Sequence, residues 1–435
     1  KLLNQESSFL YAVMDEQNIV KSDLARSSLI YTSQLRGEST DTNGVLVVNT
    51  TNLNTPDSSF MAFDQERYSI IYSDGTVASI DPSRVSVPTG GAEVIVTGLR
   101  PSETGVTVNV TANKGTIKSK TKINLRSQEL LIDKISTGAG QDEYNMVLNQ
   151  YYGLRVDDEE VSINFPDVNN IVAVFESLNG AAPSLDTLGF VGGLSLDINV
   201  IPGEVVIGAI SGAVGRVVNA PLPENVRIVY LSQAKFEVGE KLTFSESSIV
   251  TNLQFIVEGN YNDITDKFDL DKGQRQQFYD YSRLVRKKGI VPPTKKLLII
   301  YDRFAVPAND KGDFYTASSY SNEVFAKYVP MLDGGKIRAS DTLDFRPRVA
   351  PFVTSTTSPF DFVSRKFGNV GSTTVLVVAP NESMSLGYDF YVGRRDRVLL
   401  DGQGNFKLVQ GVPAKEPALP AASESAIELA RVYLP

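Results

Sequence analysis

The stretch Ala92-Glu93-Val94-Ile95-Val96-Thr97-Gly98-Leu99-Arg100-Pro101, followed by Gly105-Val106-Thr107-Val108-Asn109-Val110-Thr111-Ala112, decides the fold class. Successive side chains of a strand point to opposite faces, so β-branched residues alternating with Thr and Asn offer one face to a core and the other to water. Similar short runs flank it at Val45 to Val48, Tyr68 to Tyr72, Val85 to Val87 and Thr116 to Leu125. Asn43-Gly44 and Asp74-Gly75 separate some of them, and such pairs can take the positive φ angles that tight hairpins require. Short strands at this spacing predict a β-sandwich over residues 41–127.

The alternation at 92–112 resembles the closing strands of immunoglobulin-like domains in surface and phage proteins, which implies a spacer or docking module. Upstream, Phe9, Leu10, Val13, Ile19, Val20, Leu24, Leu29 and Ile30 give a partial helical period before Gly37. Residues 1–40 therefore read as an arm with a short helix. The opening Lys1-Leu2, without Met or an apolar signal-like run, reads as the start of a fragment or processed product. At 435 residues the chain exceeds the ~250 to 300 residues one core serves. The expected architecture is mainly β: several β-sandwich or small β domains in tandem with few short helices. After the arm and the immunoglobulin-like unit come a β-rich domain over 128–262 and a last domain over 263–435.

Composition excludes more than it suggests. The chain has no His, Cys or Trp. No Ser-His-Asp or Cys-His nucleophile can be assembled, the usual zinc, copper and haem donors are missing, and disulfides are impossible. A net charge of −9 gives no general attraction for nucleic acid or anionic membrane. No apolar run approaches the ~18 to 20 residues of a helical membrane span. The reading is a non-enzymatic protein with no cofactor, metal or catalytic residue, and with neither nucleic acid nor membrane as partner.

Within 128–262, Pro202-Gly203-Glu204-Val205-Val206-Ile207-Gly208-Ala209-Ile210-Ser211-Gly212-Ala213-Val214-Gly215-Arg216-Val217-Val218 is echoed by Phe236-Glu237-Val238-Gly239-Glu240-Lys241-Leu242-Thr243-Phe244. Each copy is a Gly-Glu turn entering a strand. The first lacks the Gly-Lys-Ser/Thr ending of a phosphate-binding loop, so its glycines read as turns and Arg216 as an exposed strand residue. Asp157-Asp158-Glu159-Glu160 places adjacent carboxylates on opposite faces of any strand, which favours a solvated loop over a glycosidase pair. Asp263, Asp266, Asp269 and Asp271 lack the spacing of a calcium loop and read as turn caps. Tyr151-Tyr152 and Phe360-Asp361-Phe362 read as packing aromatics, with sugar stacking the alternative.

The most distinctive text is Asp263-Ile264-Thr265-Asp266-Lys267-Phe268-Asp269-Leu270-Asp271-Lys272-Gly273-Gln274-Arg275-Gln276-Gln277-Phe278-Tyr279-Asp280-Tyr281-Ser282-Arg283-Leu284. It continues through Lys296-Leu297-Leu298-Ile299-Ile300-Tyr301-Asp302-Arg303-Phe304, Gly312-Asp313-Phe314-Tyr315-Thr316-Ala317, Asp341-Thr342-Leu343-Asp344-Phe345-Arg346-Pro347-Arg348 and Tyr391-Val392-Gly393-Arg394-Arg395-Asp396-Arg397. Gln274 to Leu284 reads as a short helix or turn, Pro292-Pro293 as a break, and Lys296 to Phe304 as a buried strand. This series resembles an uncharacterised domain of large virion structural proteins of T4-like myophages, especially cyanophages, associated with tail fibres or baseplates. The resemblance spans 263–435. It implies a component of a phage tail that is assembled in the host cytoplasm and joins neighbouring tail proteins, forming a homo-oligomer with the trimer of phage fibres as analogue. Host surface glycan binding is the alternative, and a polysaccharide depolymerase a third. Phe278, Tyr279, Tyr281, Phe345 and Arg346 are the expected interface residues, with Arg346 pairing a carboxylate inside the domain or across a subunit boundary.

Overall fold

The computed structural model describes residues 10–14, 19–53, 57–138, 142–310, 312–320, 327–367, 377–378 and 385–434. Its regular structure is strand, with short helical turns between, as the alternating text predicts. The first sandwich differs from expectation at its start. Ile19–Ser39 is one long strand, antiparallel to Thr104–Lys114 from Leu29↔Lys114 to Ser39↔Thr104. Leu29, Tyr31 and Leu35 are buried in its core, so this part of the expected arm is a core strand and no helix forms in it. Half-buried Ser33 between them blurs the alternation that would have announced it. Residues 1–9 and 15–18 of the expected arm lie outside the described residues.

Ser58–Phe60 and Ser69–Ile71 pair with the other edge of Thr104–Lys114, and Leu46–Asn49, Glu93–Val96 and Val85–Ser86 form the facing sheet. Val94 and Val96 meet Val106, Val108 and Val110 between the two sheets, each fully buried side chain contributing about 1.5 to 3 kcal/mol. Gly44 has φ 74°, and a Cβ there would stand 2.2 Å from the Leu99 carbonyl oxygen; only glycine fits this turn.

The central sandwich crosses the boundary expected at 262/263. One sheet runs Tyr261–Asp263, Val168–Ser177, Leu297–Ala305, Ile123–Ile132; the facing one runs Glu160–Pro166, Tyr281–Arg286, Phe268–Asp271. Val168–Ser177 and Leu297–Ala305 share a ladder, so 128–262 and 263–435 do not separate there. The run Leu297 to Tyr301 is buried throughout because it feeds two cores. Leu297, Ile299 and Tyr301 face the sandwich interior, whereas Leu298 and Ile300 face an inserted unit. Gln274 to Leu284 is a turn followed by strand Tyr281–Arg286, not a helix.

The inserted unit leaves the central sheet at Ser177 and returns at Tyr261, and these two residues are themselves paired. Its seven-stranded antiparallel sheet holds both Gly-Glu turns. Glu204 and Glu240, 36 positions apart (204 and 240), are both buried. The Glu204 carboxylate accepts from the backbone N–H groups of Ile201, Glu246 and Ser247. Glu240 accepts from the equivalent groups of Glu237, Ile210 and Ser211. Because Val205–Gly208 lies antiparallel to Lys241–Phe244, each carboxylate ties down the turn that ends the other copy. The echo in the sequence is thus a two-fold structural repeat. The unit packs on the central sheet through Leu185, Val218 and Val229 against Ala173, Phe175, Leu298 and Ile300. Arg216, expected to be exposed, grips Asp302 there at 2.7 and 2.9 Å.

Beyond the central sandwich the chain returns to the first one, where Ser385–Phe390 pairs with Ile19–Ser39. It ends in a three-stranded sheet of Phe406–Val409, Arg394–Asp401 and Ala426–Leu434.

Candidate functional site

Where the first and central sandwiches meet, six stretches of chain converge on a cluster of buried charges. Lys122 precedes strand Ile123–Ile132, and its N–H donates to the Ser319 carbonyl at 2.8 Å, which aims the side chain inward. Asp167 occupies the corner between Glu160–Pro166 and Val168–Ser177 with φ 63°, a conformation Asp tolerates better than most residues. Asp344, Arg346 and Arg348 alternate along an extended segment, so they share a side.

The Lys122 Nζ donates to Asp167 at 2.7 Å, Tyr279 OH at 3.2 Å and Tyr320 OH at 3.1 Å. It also lies within 4.6 to 5.5 Å of the ring centres of Tyr279, Tyr315, Tyr320 and Phe304, an aromatic box around an ammonium. Arg346 binds Asp344 through Nε at 2.9 Å and Nη2 at 2.6 Å, and donates to the Arg275 carbonyl and the Gln274 side chain. Arg348 bridges Asp167 and the Phe304 carbonyl. Tyr279 donates to Asp344.

Burial dominates the electrostatics. It lowers Lys122 and Lys120 to about 8 from the ordinary 10.5 and raises the Tyr279, Tyr315 and Tyr320 hydroxyls above their usual 10.0. Burial opposes the Asp344 carboxylate too, but the Arg346 guanidinium, the Tyr279 hydrogen bond and the Lys122 ammonium together outweigh it and hold Asp344 below its usual value. The cluster can bind segments together, and its Lys122 and Arg346 side chains are 0% exposed. Two clefts of about 390 and 400 Å³ flank it, and the Asp271 carboxylate in the first is engaged with Arg275 at 2.6 Å.

Of the five expected interface residues, Tyr279, Tyr281, Phe345 and Arg346 are buried within the chain, so in this structure they are internal contacts; Phe278 is half-buried. Tyr279 and Arg346 belong to the charge cluster, Phe345 packs in the first core beside Phe314, and Tyr281 packs with Phe352. Arg346 takes the intramolecular pairing. Lys122, Asp167, Tyr315, Tyr320 and Arg348 escaped sequence reasoning. For Lys122 and Arg348 the local signal is the alternation of charges in Lys118-Ser119-Lys120-Thr121-Lys122 and Asp344-Phe345-Arg346-Pro347-Arg348.

The carboxylate run is not a solvated loop. Asp158 is buried, accepts from Gly153 N–H and pairs with Arg155; Glu160 pairs with Arg283 at 2.6 Å. Asp263 caps Thr265 and Asp271 caps Gly273, as turn chemistry predicts. The two aromatic segments do meet: Tyr152 and Phe360 rings are 5.9 Å apart, and Phe360 lies over Gly153, where a Cβ would be 2.6 Å from the ring. Phe362 stays 66% exposed beside Phe278.

The chain matches no described protein family, no curated protein and no solved structure.

Proposed function

We propose that this chain is a non-enzymatic structural component of a tailed-phage virion, in the tail fibre or at the baseplate periphery, that joins neighbouring tail proteins. The observation that carries the reading is the buried cluster around Lys122 and Arg346. It commits charges from distant parts of the sequence to holding two sandwiches together, a use of ionisable groups that favours rigidity over turnover. The resemblance of 263–435 to myophage tail-associated domains supplies the setting. Labelling the chain in purified particles and imaging them tests this: density in the tail supports it, whereas a capsid location or absence from particles overturns it.

A second reading, recognition of host surface glycans, draws on the meeting of Tyr152 with Phe360 and on the exposed ring of Phe362 beside Phe278. Saturable binding of the purified chain to host envelope polysaccharide, lost in Phe362→Ala, would favour it. Release of reducing ends in the same assay would instead support the depolymerase reading.

A further inference from the structure

The terminal sheet has one finished face and one unfinished face. Its register sets Leu400 opposite Phe406 and Ile427, and Val398 opposite Leu408 and Ala430. Cross-strand partners share a face, as do residues two apart on one strand, so these six form a single apolar surface that continues into Val432 and Leu434. Phe406 is 77% exposed, Ile427 68% and Leu408 53%. The opposite face is mainly charged, carries Tyr433 as well, and is covered around Leu399. Arg397 pairs there with Glu428, its Nε donates to the Pro420 carbonyl at 2.6 Å, and Leu399 is buried. A sheet with one apolar face must bury it against a second layer, and three strands are marginal without one. Among the described residues, none supplies that layer.

We infer that this face is an interface between two copies of this chain: their terminal sheets stack face to face, so that the pair builds the sandwich neither copy contains. Three observations select a second copy as occupant. The two charged residues on the face, Arg394 and Asp396, neutralise each other at 3.2 Å, and Asp396 also accepts from Gly411 N–H at 2.9 Å. Two chains of net charge −9 can therefore meet here without bringing an unpaired charge into contact. The dimensions also suit self-pairing. Strands of eight, four and nine residues ~4.8 Å apart give roughly 340 Å² of projected sheet. With side-chain relief this approaches the ~500 Å² per partner at the lower limit of a specific interface, and only a partner with an equal apolar face uses all of it. Finally, a two-fold stack of identical faces closes on itself and leaves no apolar surface for further growth. The inference goes beyond the virion reading and does not depend on it, because it is tested on the purified chain.

Sedimentation equilibrium over a wide range of loading concentration should give a reversible monomer–dimer equilibrium. Phe406→Ser and Ile427→Ser should each weaken dimerisation by about tenfold or more. Lys407→Ser, on the charged face, should leave it unchanged. Hydrogen exchange of the unaltered chain supplies a readout free of folding artefacts: amides of 394–401, 406–409 and 426–434 should gain protection as concentration rises, while those of the first sandwich should not. A monomer at every concentration, a trimer, a dimer retained in both apolar variants, or exchange that ignores concentration would each overturn the inference.

Discussion

The cluster around Lys122 and the terminal sheet invert one another. The first hides charges in the interior, each answered by an opposite charge, a hydroxyl or an aromatic ring; the second displays Phe406, Leu408 and Ile427 to water. The difference teaches where each region finds its partner. Desolvated charges tolerate no vacancy, so the partners of Lys122 and Arg346 must come from the same chain and be present whenever it is folded. Apolar side chains tolerate water at a modest cost, so the terminal sheet can wait for a partner from outside.

The strongest way to break the contrast is Arg346→Met, which strands the buried Asp344 carboxylate. It should cost about 3 to 5 kcal/mol of unfolding free energy in urea titrations. Adding Asp344→Leu to that variant should restore much of the loss, since it is the orphaned charge and not the missing pair that destabilises.

A change of pH probes the cluster without mutation. Folding lowers Lys120 and Lys122 to about 8, so between about pH 8 and 10 the unfolded chain binds more protons and stability should rise with pH. Tyr279, Tyr315 and Tyr320 are raised on folding, so above about pH 10 the folded chain keeps protons the unfolded chain sheds, and stability should fall. The rise should be on the order of 1 to 3 kcal/mol and should flatten in Lys122→Met, as read from urea midpoints across that range. The smallest effect belongs to the other region: Phe406→Ser, at concentrations where the chain is monomeric, should change unfolding free energy by no more than about 0.5 kcal/mol. A loss comparable to that of Arg346→Met would mean the apolar face already serves the single chain.

What could be read from the sequence follows from how local each signal is. Strands Glu93–Val96 and Thr104–Lys114 were legible because alternation is written within the strand itself. The Gly-Glu echo was legible as turns; its meaning, two carboxylates exchanged between copies, depends on the pairing of Val205–Gly208 with Lys241–Phe244 and has no local sign. The ladder between Val168–Ser177 and Leu297–Ala305 spans the whole inserted unit, so the boundary placed at 262/263 followed a change of texture that the fold ignores. For the same reason, Tyr279 and Arg346 stood out as unusual residues while their partners Lys122 and Asp167 did not. An ion pair that closes a long loop leaves its trace in three dimensions only.

The pairing of Ser177 with Tyr261 has one more consequence. The chain enters and leaves the inserted unit at neighbouring points about 4.8 Å apart, the spacing of paired strands. Everything from 178 to 260 therefore hangs from the host sheet like a module on a two-pronged socket. A short hairpin turn could bridge the same gap, provided that Phe175, Leu298 and Ile300 beneath were made polar. Such a layout lets a lineage exchange, enlarge or discard what is mounted at that position while the scaffold below keeps its register.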